Sequence, residues 1–184
     1  MDSTMTLEQF HSLCIKYTLG YFDDNQRLET TVFALKPDGD VIVLFRGYDN
    51  NDEKQYTYNI YALILAAEQA LMYCLASEAW WYKDESMDVK NAIPPSEHPD
   101  KQEAIITVAT DRNNHTISEL FKMEKGKILS NAPMGEQTVD QIKLFDRIPK
   151  DHGTDLSMLA KIPKPDWYKL VPKNVFLNNV RMDA

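Results

Sequence analysis

Residues 30–49 read TTVFALKPDGDVIVLFRGYD, and no other stretch restricts the fold of this chain as tightly. Two apolar runs flank Pro37-Asp38-Gly39-Asp40. Proline pre-sets its own φ, and glycine takes the positive φ that a tight reversal needs. Val32, Ala34, Val41, Val43 and Phe45 give the flanks β-branched and aromatic character. The segment is therefore expected to be a β-hairpin, the nucleus of an antiparallel sheet that needs covering layers.

The covers are legible on either side. Thr6-Leu7-Glu8-Gln9 is a capping box, with a threonine followed three residues later by a glutamine. Leu7, Phe10, Cys14 and Tyr17 recur at helical spacing, which predicts a helix over residues 7–19, stopped at Gly20. After the hairpin, YDNNDEKQYTYNIYALILAAEQA predicts a second helix. Asn51 serves as its cap, Asp52 and Glu53 complement the dipole, and Tyr56, Ile60, Leu63, Ala67 and Ala70 form the apolar stripe, widened by Ile64 and Leu65.

LMYCLASEAWWYK reads as a third strand, EAIITVATD as a fourth, DRNNH as a turn, TISELFKMEK as a fifth strand and KILSN as a short further one. The order α-β-β-α-β-β-β predicts an α+β fold: a mostly antiparallel sheet of five or six strands with helices packed on it. Over residues 5–130 that order resembles the profilin-like and roadblock/longin-like α+β domains, a resemblance of topology that carries no residue motif and implies no activity.

The chain divides at about residue 135 into a globular part, 1–135, and residues 136–184. In the second part TVDQIKLFDRI predicts a short helix, and prolines at 149, 163, 165 and 172 predict an extended, polyproline-like arm. Trp167, Tyr168, Leu170, Val171, Val175 and Phe176 are its apolar anchors. An arm of this kind gains order only by packing, on its own domain or on a partner. Charge follows the same division. Residues 141–184 carry eight Lys and Arg against five Asp, a net +3; the whole chain is −8, so residues 1–140 carry −11.

An acidic body repels phosphate backbones, which argues against nucleic-acid binding. No apolar run is long enough to span a membrane, and MDSTMTLEQF is too polar for a signal peptide. Cys14 and Cys74, each in an apolar pattern, read as reduced core thiols of a cytoplasmic protein, with a disulfide between them as the alternative where the geometry allows one. Only six glycines are present and none builds a phosphate loop.

The candidate chemistry centres on PPSEHPDKQEAIITVATD, residues 94–111. Glu78 lies in the third strand on one face with Cys74, Ala76 and Trp80, so it is expected to be buried and paired with Lys101, or with Arg46 or Arg112. Glu97, His98, Asp100 and Glu103 could join Glu78 as ligands of a metal-assisted hydrolase, although their spacing fits no metal motif. Ser77, Cys14, Cys74 and the four histidines make no recognisable nucleophile arrangement. Trp80 and Trp81 point to opposite faces of their strand, so one is a candidate contact beside the tyrosines.

The sequence E-A-W ending one strand, followed by P-x-x-H-P-D-K-x-E opening the next, resembles a group of uncharacterised bacterial and phage proteins over residues 50–125. That resemblance implies a bacterial cytoplasm, a virion or a phage-infected cell, and no mechanism. The expected function is a non-enzymatic interaction or assembly protein without a cofactor or resident metal. It would bind a protein partner or its own copies through Trp167, Tyr168, Leu170, Val171 and Phe176. The alternatives are the hydrolase centred on Glu78 and His98, and an acidic inhibitor of a nucleic-acid-processing or defence enzyme.

Overall fold

In the computed structural model, residues 5–25, 27–82, 97–133, 143–148 and 164–179 are described. The hairpin forms as the turn chemistry requires. Strand β1, Thr31–Leu35, pairs antiparallel with β2, Val41–Phe45, with Phe33 opposite Val43. Gly39 sits at φ +91°, the Lys36 amide donates to the Asp40 carbonyl, and the Asp40 amide donates to the Asp38 carboxylate.

Helix α1 spans Leu7–Asn25. Its capping box is reciprocal: the Gln9 amide donates to the Thr6 hydroxyl at 3.2 Å, and the Thr6 amide to Gln9 Oε1 at 2.9 Å. The helix does not stop at Gly20. A mid-helix glycine costs only about 1 kcal/mol, and Phe22, one turn beyond buried Thr18 and two beyond Cys14, is itself buried and draws the helix onward. Asn25 closes it by donating to the Tyr21 carbonyl.

Helix α2 spans Asn51–Ala67, and its cap is Asn50, one residue before the expected Asn51. The Asn50 side chain accepts from the Glu53 amide at 2.9 Å, while the Glu53 carboxylate reaches back to the Asp49 amide. The buried stripe is Thr57, Tyr58, Tyr61, Ala62 and Leu65, rotated from the expected one; Tyr56 is exposed.

Four more strands follow: β3 Met72–Trp81, β4 Gln102–Asp111, β5 Thr116–Glu124 and β6 Lys127–Pro133. A single 3-10 turn, Phe145–Arg147, stands within the span predicted as a short helix, whose residues 138–142 lie outside the described residues. The arm is not polyproline-like where it is described. Tyr168–Val171 is a further strand, β7, and Lys173–Asn179 is a helix, α3. Polyproline backbone leaves its amides unpaired, whereas β2 offers a free edge of amides and carbonyls that a short strand can satisfy.

The fold is thus α+β with a seven-stranded antiparallel sheet in the order β6-β5-β4-β3-β1-β2-β7. Each face has its own core. Under α1 lie Phe10, Cys14, Phe33, Val43, Cys74, Ala76 and Ile105, joined by Phe176 of α3. Under α2 lie Val32, Ile42, Tyr61, Leu65, Tyr73, Leu75 and Val108, with Leu144.

Candidate functional site

The expected acidic centre does not assemble. Glu78 keeps the face predicted by alternation, but it is solvent-exposed. The six residues from Met72 to Ser77 are buried and burial ends at Glu78, so the carboxylate stands beyond the helical cover. Its Oε1 accepts a hydrogen bond from the Leu28 amide at 2.5 Å. The cations proposed for it are engaged elsewhere. Lys101 Nζ lies 4.6 Å from the centre of the Trp80 ring, Arg112 Nε donates to the Ala70 carbonyl, and the Arg46 guanidinium lies over Tyr56.

His98 stacks on Tyr82 with ring centres 4.0 Å apart, and its Nδ1 accepts from the Asp100 amide. Glu103 is opposite Trp80 in the β3–β4 register. Among the described residues no group of three or more His, Cys, Asp or Glu is placed to hold a metal ion. The two tryptophans do point to opposite faces. Trp80 is 43% exposed beneath Lys101, and Trp81 carries Lys122 at 4.2 Å. Each ring is thus covered by an ammonium, an attraction of about 0.5–1 kcal/mol at an exposed site.

The C-terminal arm makes the more organised arrangement. Strand β7 pairs with β2, Lys169 opposite Val43 and Leu170 opposite Ile42. Just before it, the Phe45 amide donates to the Trp167 carbonyl, and the Trp167 ring tilts against Tyr61 on the α2 face. Glu68, at the end of α2, accepts from Lys164 and from the Tyr168 hydroxyl and stands 3.9 Å from Lys36. Burial, and then the negative charge of Glu68, push the Tyr168 phenol above its ordinary value. At the start of α3 the Lys173 amide donates to Asp40 Oδ1. One turn on, Phe176 is fully buried, 6.2 Å from Phe33 and 6.1 Å from Tyr17 between ring centres.

Of the residues expected to contact a partner, Phe176 is therefore core. Trp167, Tyr168 and Val171 are half-buried on the body, and Leu170 is 48% exposed. Val175 and Leu177 of α3 are exposed as well. The polar contacts of the arm with the body run to Glu68 and Asp40.

Sequence reasoning missed a pocket beneath the arm. A cavity of about 80 Å³ lies between α1, the approach to β1, β2 and β7. Leu28, Thr31, Phe33 and Val43 are buried around it, with Thr18 from α1. Glu29, exposed Tyr21 and Lys169 also line it, and Lys169 Nζ rests 4.8 Å from the centre of the Phe45 ring. Its walls come from four separate stretches of chain, so no local spacing announces it.

The class defined by this architecture is an α+β protein whose antiparallel sheet is extended by its own C-terminal arm. No protein-family model, curated protein or solved structure matches the chain. No described helix is long and apolar enough to cross a membrane.

Proposed function

We propose that the chain is a non-enzymatic assembly protein whose arm, residues 164–179, docks on the β2 edge of a second copy as readily as on its own. The observation that carries this reading is the self-contained character of the seat. β7 on β2, Trp167 against Tyr61, Lys164 and Tyr168 on Glu68, and the Lys173 amide on Asp40 all join arm to body. Every one of those contacts is equally available between copies.

Fifteen residues of sequence separate Ile148 from Lys164. At about 3.3–3.6 Å per residue, fully extended, they reach roughly 50 Å, enough to pass from one small domain to its neighbour. Exchange of an identical element is a low-cost route to a dimer, since it makes no contact that the single copy lacks. The charges of Lys164 and Glu68 then steer the arm to its seat.

Val43 and Lys169 are register partners, so a mixture of Val43→Cys and Lys169→Cys copies tests the reading. The native thiols Cys14 and Cys74 are both buried. Under mild oxidation, exchange yields a disulfide-linked pair containing one copy of each variant. A mixture that stays uncrosslinked, while the double variant closes within a single chain, would falsify it.

A further inference from the structure

Helix α2 breaks two local rules at its C-terminal end. Glu68, the residue that caps it, is an anion at the negative pole of the helix dipole, where a cation is the favoured charge. Gln69 follows at φ +53°, the left-handed region that glycine usually fills. The turn is closed all the same. The Gln69 amide donates to the Ala66 carbonyl, the Ala70 amide to the Leu65 carbonyl, and Arg112 holds the Ala70 carbonyl. None of these contacts involves the arm, so the body alone fixes the backbone that carries Glu68. The side chain is only 12% exposed, and among the described residues its ion pairs are with Lys36 and Lys164. The Lys36 ammonium stands 3.9 Å from Oε2 and is itself held by Asp38 at 3.0 Å. From the body, then, this carboxylate receives one distant, shared cation.

The arm supplies the rest, all of it on Oε1. Lys164 and the Tyr168 hydroxyl both donate to that oxygen, the hydroxyl at 3.2 Å. The two residues are four apart and meet because residues 165–168 form a turn, closed by the Tyr168 amide donating to the Pro165 carbonyl. The same turn sets the Lys164 ammonium 4.8 Å from the centre of the Tyr168 ring. Ammonium and phenol form one clip on a single oxygen. In strand addition, main-chain bonds give affinity and side-chain contacts give selectivity. The β7 ladder on β2 is open to any extended segment; the clip is what a generic segment lacks.

We propose that Glu68 is the specificity-determining residue of the seat. It selects an extended segment that carries a lysine and, four residues on across a turn, a tyrosine, and it turns away strands without them. The assembly reading enters only through the occupant, the arm of a second copy; the selection operates equally when a chain closes on its own arm.

Exchange of charge between seat and arm is the test. Within one chain, Glu68→Lys and Lys164→Glu are each expected to speed hydrogen exchange of β7 and α3 amides by roughly tenfold, the worth of a hydrogen bond to a charged group. The two substitutions together are expected to restore the parent rates. Glu68→Gln, which meets no repulsion from Lys36, and Tyr168→Phe are expected to act in the same direction as the reversals. Unchanged exchange in β3 and β4 confirms that the body of each variant is folded. Between copies, a Val43→Cys seat offered equal amounts of Lys169→Cys arms with and without Lys164→Glu is expected to crosslink the arm without it by roughly tenfold more, and Glu68→Lys on the seat to invert that preference. Restoration within one chain, with no crosslink between copies, removes the assembly reading and leaves the role of Glu68 standing. Single reversals that exchange as slowly as the parent, or a charge exchange that stays as fast as the worse single reversal, overturn the proposal.

Discussion

Phe176→Ala is the most informative single perturbation of this fold. The ring is fully buried, between Phe33 and Tyr17, and it is the buried anchor of a helix otherwise lined by exposed Val175 and Leu177. Truncating a buried phenylalanine costs about 3–5 kcal/mol, the lost transfer energy plus the cavity left behind. For a chain of this length the melting midpoint moves by about 2–4 °C per kcal/mol, so it is expected to fall by about 6–20 °C.

Where that loss appears is equally diagnostic. The rest of the arm is held by a four-residue strand, by the half-buried Trp167 ring against Tyr61 and by polar contacts to Glu68 and Asp40, each polar contact worth about 1 kcal/mol. Hydrogen exchange of β7 and α3 amides is therefore expected to accelerate by about a hundredfold or more, since each 1.4 kcal/mol is a factor of ten, before β3 and β4 respond. Differential scanning calorimetry and exchange followed by mass spectrometry read both effects. A midpoint within a degree of the parent, with unchanged exchange in α3, would refute the placement of Phe176 in the core.

Two further outcomes follow from local electrostatics. His11 is buried with its Nε2 2.9 Å from the Thr107 hydroxyl, and burial lowers its pKa against the opposing pull of Glu119 and of the Thr107 backbone. The unfolded chain then binds the proton first, so stability is lost as pH falls through the ordinary histidine value of about 6.5 towards the lower folded one; urea midpoints from pH 7.5 to 5 should drop less in His11→Gln than in the parent, and equal slopes would contradict the assignment. Glu78→Ala removes an exposed carboxylate from the Leu28 amide and is expected to cost about 1 kcal/mol, not the 3–5 kcal/mol or so of a broken buried pair; a urea-melt loss above about 3 kcal/mol would restore the buried reading.

The sequence made some of these features plain and hid others for definite reasons. The hairpin and the capping box were readable because the chemistry that fixes them, Pro37 to Asp40 and Thr6 with Gln9, is local. Alternation placed Glu78 on the correct face, but it cannot say where along a ten-residue strand the covering layer ends. In α2 the stripe slipped because Thr57, a polar residue, is buried while Tyr56, an aromatic one, is exposed. Gly20 misled because a helix terminates where its tertiary anchors end, here after Phe22, and not where its propensity dips. The arm's strand, Tyr-Lys-Leu-Val, has too few residues to show a period, and its pairing depends on an edge fixed more than a hundred residues earlier. The pocket was invisible for the same reason.

The seat of β7 also bears on how this chain survives its own synthesis. Val41-Ile42-Val43-Leu44-Phe45 is uncharged, proline-free and β-branched, the composition of segments that stack into fibrils. During translation it emerges early and finds β1 at once, while its other edge waits for residues made long afterwards. Throughout that interval the nascent chain carries an open border, the β2 edge. Lys169 arrives as the gatekeeper: a charged residue on the strand that finally occupies the border. Truncated products lacking the arm therefore leave the ribosome without a strand of their own to occupy that border.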